Sequence, residues 1–255
     1  MNDTPTLVLV HGAGDTSLVW RDVQCLLVTP SIAVDLPGRR DRPADITRVT
    51  IRDAVDSIER DVDRVTDGQV ILVAHSMFGV VLPSLAGRLG DRVDHLVFVA
   101  GVSAKNGERA VDTIRPGGYE QIAARVEELR ATYADHMFSP VVPSEPADGV
   151  ALHPIDDVRV AQGIDSLNFM CQVVSWEGVR AGLPRTFIRS LQDPIQSREF
   201  QDALIENCDA TTVVDIDTKH TAAREAPQTV VDLLDAIAAS PREVFTAPEA
   251  SDSRQ

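Results

Sequence analysis

The sequence lacks the features that mark membrane-spanning, disulfide-rich or nucleic-acid-binding proteins. No apolar run among the 255 residues approaches the ~20 residues of a membrane-spanning helix. The three cysteines are too few and too scattered for a disulfide framework or a metal site, and we expect buried free thiols instead. A formal net charge of −15 would repel phosphate backbones and anionic membranes. We therefore expect neither nucleic acid nor a membrane as a partner.

We expect no targeting signal in the amino-terminal segment. Residues 1–5 carry no basic side chain, and the apolar run Leu7–Val10 is too short for the core of a signal peptide. The composition, 44% hydrophobic and 25% charged, is ordinary for a globular protein, and the length does not require two domains. These properties predict one cytoplasmic domain of the size of a typical enzyme.

Short apolar runs alternate with helical patterns through most of the chain. Six runs are predicted to be strands: Leu7–Val10, Ser31–Asp35, Val70–Ala74, Val93–Ala100, Thr186–Ile188 and Thr211–Val214. Helical spacing of apolar residues follows Thr50, an expected N-cap that Asp53 complements in a capping box. Further helices are predicted over 194–207 and around Val230–Ile237. This alternation predicts an α/β fold with a mostly parallel central sheet and helices on both faces.

The interval 103–183 departs from this alternation. Its patterns are mostly helical, over Tyr119–His136 and Val158–Trp176, and a proline-rich connection, Pro140–Pro146, lies between them. We interpret the interval as a helical cap inserted over the carboxyl edge of the sheet. A separate helical domain is the alternative, which fits less well because strand patterns resume directly afterwards. The predicted division is a core formed by 1–102 and 184–239, a cap over 103–183, and a disordered tail over 240–255.

Ser76 lies at a strand-to-helix corner. The third apolar run stops at Ala74-His75, and Met77–Gly79 then begin a small-residue helix that extends to about Leu89. At such a corner the serine hydroxyl is exposed at the carboxyl edge of a sheet, where the first amide of the helix can stabilise an oxyanion. The spacing therefore predicts a nucleophile elbow, against the plainer interpretation that a lone serine after a strand is a helix cap.

A nucleophilic serine needs a base, and the base needs a third group that orients it. Among the six histidines, His220 follows the last predicted strand and precedes the last helix, where a loop can reach over the sheet edge toward Ser76. Asp193 follows the preceding strand and is the preferred orienting carboxylate, with Asp215 and Asp217 as alternatives. The non-catalytic interpretations are a turn residue at 193 and a surface histidine at 220.

The loop after the first strand offers a second donor for an oxyanion hole. The Met77 amide, directly after Ser76, is the first expected donor, and the Ala13 amide is the second, since Gly12 lets the backbone bend close to a substrate. The glycine pair in this loop is not a dinucleotide fingerprint, because no third glycine follows at the required spacing. We therefore expect no cofactor and no metal.

Six residues are candidates for the substrate pocket. They are Gly12, His75, Phe138, Phe169, Met170 and Trp176. The apolar members of this set are equally typical of an ordinary helical core, and His75 is typical of a structural position beside the elbow.

From Leu7 to about Ala239 the chain resembles the α/β-hydrolase superfamily. Within it, the chain resembles the plant methylesterase and hydroxynitrile-lyase group and its bacterial relatives. The matching segments are Val10–Ala13 with Trp20 shortly after, Asp35–Gly38, the Ser76 elbow, Arg185–Arg189 leading to Asp193, and the His220 loop leading to Pro227. The resemblance implies an α/β-hydrolase fold and a catalytic triad in the chain order Ser76, Asp193, His220.

Two positions bear on the reaction that the resemblance implies. The lyase branch typically has a threonine after the first loop histidine and a lysine directly after the catalytic histidine, and these positions hold Gly12 and Thr221 here. The chain is therefore expected to be a serine hydrolase that cleaves a small carboxylic ester through an acyl-enzyme. Its expected partner is the small-molecule ester, and a homodimer is left open. Hydroxynitrile-lyase-like or other carbon–carbon lyase chemistry with the same triad is the first alternative.

The elbow departs from the family pattern at two positions. The family usually carries glycines two before and two after the serine, where this chain has Ala74 and Phe78. Phe78 predicts either a locally small neighbouring strand or a distorted elbow with reduced activity, and Gly79 would relieve it in part. A non-catalytic ligand-binding protein on a hydrolase fold is accordingly the second alternative.

Overall fold

The centre of the molecule is a six-stranded sheet in which each pairing is parallel. The computed structural model describes residues 4–134 and 158–243, the side chains of 158–160 excepted. The strands are β1 (Thr6–Val10), β2 (Ser31–Val34), β3 (Val70–His75), β4 (Val93–Val99), β5 (Arg185–Ser190) and β6 (Thr212–Ile216). Their order across the sheet is β2-β1-β3-β4-β5-β6. The predicted α/β class with a parallel central sheet is confirmed.

Helices connect these strands. In the described ranges the α-helices are α1 (Arg21–Leu26), α2 (Ile51–Val65), α3 (Leu82–Leu89), α4 (Ala110–Ile114), α5 (Tyr119–Thr132), α6 (Val158–Met170), α7 (Arg198–Asn207), α8 (Ala222–Glu225) and α9 (Pro227–Ala239). Short 3-10 helices occupy Ser17–Trp20, Ser76–Val81 and Gly90–Arg92. Within 4–134 and 158–243, none of the helices combines the length and the apolar character that crossing a bilayer requires.

The two faces of the sheet carry separate hydrophobic cores. Successive residues of a strand point to opposite faces, so Val8 and Val10 of β1 face one core and Leu7 and Leu9 face the other. The first core is shared with α2 and α3, and the second with α1 and α9. All four of these side chains are fully buried. Both faces of the sheet are thus covered by helices, as the continuous apolar strands predict.

The start of α7 differs from the prediction. The helix begins at Arg198 rather than at Pro194. The Asp193 carboxylate accepts hydrogen bonds from the Ile195 amide at 2.8 Å and the Gln196 amide at 3.0 Å. This local capture of two amides holds the segment as a turn, which delays the helix and keeps the carboxylate at the sheet edge.

The predicted end of α6 is also wrong. The helix ends at Met170 and does not continue to Trp176. A turn follows at Cys171, and Val173 then forms an antiparallel bridge with Arg109, where the Val174 amide donates to the Glu108 carbonyl at 2.8 Å. Of the apolar residues that suggested a longer helix, Val174 is buried from this non-helical segment, whereas Val173 is 49% exposed.

Two further segments differ from the pattern-based expectation. α5 ends at Thr132, short of the predicted end at His136, which lies outside the described residues. Ser17–Leu26, where no helix is predicted, forms a 3-10 helix followed by α1. Its start is capped by the Thr16 side chain, which accepts from the Leu18 amide. Elements this short contain too few residues to show a helical period.

The strand order places a topological switch beside Ser76. From β1 the chain moves outward to β2, and it then returns to β3 on the other side of β1. The loops that follow β1 and β3 therefore diverge at the carboxyl edge and leave a crevice between them, which is where parallel α/β sheets bind ligands. Ser76 directly follows β3, and the loop His11–Gly14 directly follows β1.

The described part of the interval between β4 and β5 is mainly helical. α6 packs against α5 and against the 3-10 helix that begins at Ser76, so it lies over the carboxyl edge of the sheet. The proline-rich connection Pro140–Pro146 and most of the predicted tail, from residue 244 onward, lie outside the described residues. The division into core and cap remains a prediction.

Loss of the capping box should destabilise α2. The Thr50 side chain accepts from the Asp53 amide, and the Asp53 carboxylate accepts from the Thr50 amide. Thr50→Ala should therefore lower the free energy of unfolding by about 1 kcal/mol, measured by urea unfolding. Thr132→Ala is the matched control, since the Thr132 hydroxyl donates to the Glu128 carbonyl within a helix, a bond that adds little. Equal losses in both variants would contradict the capping role.

Candidate active site

Ser76 has a left-handed backbone conformation, with φ of 53°. This region is costly for a residue with a Cβ and is typical of the sharp turn of a nucleophile elbow. The Ser76 carbonyl accepts a hydrogen bond from the Val102 amide at 2.8 Å, which ties the turn to the segment after β4. The strained turn between β3 and the 3-10 helix thus presents the serine at the carboxyl edge of the sheet.

Two glycines allow other segments to approach this turn closely. A Cβ at Gly79 would lie 2.5 Å from the Val102 carbonyl oxygen. A Cβ at Gly12 would lie 2.7 Å from Nδ1 of His75 and 3.1 Å from Cβ of Ser76. Contacts this short exclude any larger residue without movement of the backbone, so both glycines are required by the approach of the neighbouring loops.

The structure brings together the three residues predicted to form a triad. Nε2 of His220 lies 2.7 Å from Oγ of Ser76, and Nδ1 of His220 lies 2.5 Å from Oδ2 of Asp193. The carboxylate can accept but cannot donate when ionised, so Nδ1 carries the proton and Nε2 is free to accept from the serine hydroxyl. This tautomer is the one in which the imidazole can act as a base toward Ser76.

Asp193 is buried, with 0% of its side chain exposed. Burial alone would raise the pKa of Asp193, but the hydrogen bonds with His220 and the amides of Gln196 and Ile195 outweigh it and hold the pKa below its usual value. The alternative carboxylates are engaged elsewhere. Asp215 pairs with the Arg189 guanidinium at 2.7 Å, and Asp217 accepts from the Gln192 side-chain amide at 2.6 Å.

His75 supports the loop that carries His220. Its Nε2 lies 2.9 Å from the His220 carbonyl oxygen, so Nε2 carries the proton and donates. Burial, with the nearby His220, lowers the pKa of His75 to about 3. The ring is therefore neutral at physiological pH. Nδ1 has no hydrogen-bond partner among the described residues and faces Gly12. His75, one of the pocket candidates, therefore lies beside the elbow with one ring nitrogen unpaired.

The loop after β1 is ordered by His11. Its Nδ1 donates to the Gly12 carbonyl at 2.8 Å, and its Nε2 accepts from the Leu36 amide at 3.4 Å, which defines one neutral tautomer. Burial lowers the pKa of His11 well below its ordinary value. The Asp15 amide also donates to the Gly12 carbonyl, at 3.2 Å. Ala13, the predicted second oxyanion donor, is thus part of a tight turn that passes directly beside Ser76.

Phe78 does not distort the elbow. Its ring is 1% exposed and packs nearly perpendicular to the rings of His11 and Phe169, at centroid distances of 5.4 Å and 4.8 Å. With this ring in place, Ser76 Oγ still lies 2.7 Å from Nε2 of His220, and the expectation of reduced activity stays a prediction. The close approach between the helix and the end of β4 occurs at Gly79, one residue later, and the side chain at 78 has room between β1 and α6.

The pocket candidates are placed differently from one another. Phe169 is 1% exposed and packs on Phe78, while Met170 is half-buried against the larger core. Trp176 is directed elsewhere: its Nε1 donates to the Ala104 carbonyl at 2.9 Å and its ring is covered by the Arg185 guanidinium. Phe138 lies outside the described residues.

A buried charge pair beside the crevice was not predicted from the sequence. The Arg39 guanidinium donates to the Asp165 carboxylate of α6, and the two side chains are 4% and 2% exposed. Arg39 directly follows the segment Asp35–Gly38, which the family resemblance includes, but no local signal identifies a partner so distant in sequence. Among the described residues no group of three or more histidine, cysteine or acidic side chains is arranged to hold a metal ion.

The sequence model of the alpha/beta hydrolase family matches residues 7–233. Solved structures with similar folds include a pyrethroid hydrolase from Sphingobium faniae, with a TM-score of 0.64, 19% identity, and coverage of 93% of this chain and 98% of that chain. Polyneuridine aldehyde esterase has a TM-score of 0.61, 17% identity, and coverage of 91% and 98%. An extracellular alpha/beta-hydrolase from a Paenibacillus species has a TM-score of 0.65, 15% identity, and coverage of 90% and 97%. The comparison with curated proteins gives no match.

Protonation of His75 should destabilise the fold in acid. Its folded-state pKa of about 3 lies below the ordinary 6.5, so its contribution is complete above pH 6.5 and is lost as the pH falls toward 3. Between pH 7 and pH 5 this loss is about 2 kcal/mol of unfolding free energy.

His75→Gln tests this contribution, because glutamine does not titrate and its amide can still donate to the His220 carbonyl. Urea unfolding at the two pH values should show a loss in the variant that is smaller by about the same 2 kcal/mol. Parallel losses in the two proteins would show that His75 is not the group responsible.

Proposed function

The chain belongs to the alpha/beta hydrolase family, and on that premise we propose that it is a serine hydrolase that cleaves a small carboxylic ester. The observation that carries the proposal is the continuous hydrogen-bonded series from Asp193 through His220 to Ser76. A serine, an imidazole and a buried carboxylate in this arrangement make the serine hydroxyl nucleophilic. The three residues come from loops after β3, β5 and β6, at one edge of the sheet.

The proposed reaction has two halves. Ser76 Oγ attacks the ester carbonyl while Nε2 of His220 takes its proton, and the amides of Ala13 and Met77 stabilise the oxyanion that forms. The ester C–O bond then breaks, and His220 returns the proton to the departing alcohol, which leaves an acyl-enzyme on Ser76. Water attacks the acyl carbonyl with His220 again as base, and the carboxylic acid and free Ser76 are regenerated.

The electrostatics of the three side chains support these roles. Asp193 has a lowered pKa, so it remains ionised and can stabilise the imidazolium that forms at His220 during attack. The neutral state of His75 and His11 places no positive charge beside the imidazole that would disfavour its protonation. The oxyanion donors would each stabilise the transition state by ~2.7–4 kcal/mol.

An ester is the substrate class that several observations support together. Gly12 and Thr221 stand where the lyase branch typically has threonine and lysine. The proteins of similar fold include one named as an esterase and one named as a pyrethroid hydrolase. Phe78 motivates the non-catalytic alternative, and the hydrogen-bond distance between the Ser76 hydroxyl and His220 supports catalysis over it.

Replacement of the nucleophile should abolish turnover without loss of the fold. Ser76→Ala should lower kcat for a p-nitrophenyl ester by ~10⁶, because no covalent intermediate can form. A fluorophosphonate probe should label the wild-type protein at Ser76 and leave Ser76→Ala unlabelled, as read by intact mass and peptide mapping.

Ser84→Ala is the matched control for this experiment. Ser84 lies on α3 and its hydroxyl contacts the Ser175 carbonyl at 3.3 Å, so this variant should keep normal labelling and turnover. Near-normal turnover by Ser76→Ala, or no labelling of the wild-type protein, would overturn the covalent mechanism. A parallel panel of cyanohydrins would detect the lyase alternative.

The identity of the orienting carboxylate is tested by two amide substitutions. Asp193→Asn keeps the size of the side chain but favours the wrong imidazole tautomer, so kcat should fall by ~10⁴. Asp217→Asn, at one of the alternative carboxylates, should leave kcat within a factor of a few. Steady-state kinetics with one ester measures both variants, and the reverse ranking would assign the orienting role to Asp217.

A further inference from the structure

The loop after β1 is joined to the cap helix α6 by one buried carboxylate. Oδ2 of Asp165 accepts a hydrogen bond from the Gly14 amide at 2.9 Å and a second from the Arg39 guanidinium. The side chains of Asp165 and Arg39 are 2% and 4% exposed. A buried carboxylate of α6 thus binds two groups inside the protein, directly behind the loop that carries Ala13.

Arg39 makes three further contacts, one of them with the elbow. Its Nε donates to the Asp15 carbonyl at 2.9 Å, and its Nη1 donates to the Pro37 carbonyl at 3.3 Å. The same guanidinium lies 5.8 Å from the ring centroid of Phe78, two residues after the nucleophile. One cation therefore connects the loop after β1, the loop after β2 and the elbow, and Asp165 neutralises it.

The position of Ala13 is fixed from both sides by these contacts. On one side Gly12 packs against Ser76, where a Cβ would lie 3.1 Å from that of the serine. On the other side Gly14 has φ of 69°, and a Cβ on it would lie 2.5 Å from Cβ of Gln162 on α6. The orientation of the Ala13 amide is therefore determined by the packing of Gly12 against Ser76 and by the hydrogen bond from the Gly14 amide to Asp165 of α6.

The buried Arg39–Asp165 pair is expected to add little to the free energy of unfolding. Removing two charges from water costs about as much as their attraction returns, so well-packed apolar residues would serve the fold equally well. Burial raises the pKa of Asp165, and the Arg39 charge offsets this in part. What apolar residues could not supply is an acceptor for the Gly14 amide and a bridge to the Asp15 carbonyl, and these are positional functions.

We propose that Asp165 is a positioning residue of the oxyanion hole, holding the Ala13 amide in place through Gly14 and Arg39. This inference rests on the proposed ester hydrolysis and assigns to the cap a part in the chemical step. An oxyanion donor acts in the transition state more than in the bound substrate. Loosening the loop should accordingly lower kcat and leave KM nearly unchanged.

Three variants test the proposal by steady-state kinetics on a p-nitrophenyl ester. Asp165→Ala should lower kcat by ~10²-fold, approaching the loss of one oxyanion donor. Asp165→Asn retains one acceptor and should recover part of this, with a loss of ~10-fold. Asp94→Asn is the matched control, since Asp94 is a buried partner of Arg242 at 2.8 Å at the opposite edge of the sheet. It should keep the wild-type kcat.

Two further measurements distinguish a loss of loop positioning from a general loss of stability. An alkyl trifluoromethyl ketone forms a tetrahedral adduct whose oxyanion occupies the same hole, so its Ki should rise across the Asp165 variants in proportion to the fall in kcat/KM. Hydrogen exchange of the amides of 12–16 should be faster in Asp165→Asn than in the wild-type protein. This measurement needs no activity and remains decisive if Asp165→Ala does not fold.

The outcomes distinguish this inference from the proposed function. Full kcat in Asp165→Asn with unchanged exchange at 12–16, or a rise in KM alone, would overturn the positioning role while ester hydrolysis stands. Equal losses of kcat in Asp165→Asn and Asp94→Asn would also overturn it, because the effect would then be one of stability. A wild-type protein that neither turns over esters nor reacts with a fluorophosphonate would overturn both.

Discussion

The left-handed backbone at Ser76 must be maintained by its surroundings, because such a conformation costs roughly 1–3 kcal/mol in a residue with a side chain. Three contacts maintain it. The Ser76 carbonyl accepts from Val102, Gly79 allows the following turn to lie against the end of β4, and Gly12 allows the loop after β1 to lie against the serine itself. The rest of the site is arranged around a hydroxyl held at this fixed point.

His220 and Asp193 reach that point from two loops that are joined to each other. The backbone amide of Gln192 donates to the Thr218 carbonyl at 2.9 Å, and the His75 ring donates to the carbonyl of His220. Each contact adds little by itself, about 1 kcal/mol. Together they limit the freedom of the imidazole in the absence of substrate, which is the preorganisation that electrostatic catalysis requires.

Sequence patterns predicted the parts of this site that local chemistry determines. Ser76, Asp193 and His220 each follow a recognisable strand, and parallel strands bring their carboxyl ends to one edge, so the residues could be identified without coordinates. The orientation of Phe78 could not be predicted in this way, because it depends on space between His11 and Phe169, which are distant in sequence. The partnership of Arg39 with Asp165, 126 residues apart, escaped prediction for the same reason.

The buried pair also joins α6 to the loop after β1. Moving α6 away from the sheet would separate Asp165 from Arg39 and break the hydrogen bond from the Gly14 amide to the Asp165 carboxylate. Because water would then reach both charges, their hydration would offset most of the lost attraction. A displacement of α6 would therefore also displace the loop that carries Ala13, because Gly14 and Arg39 are both bound to the Asp165 carboxylate.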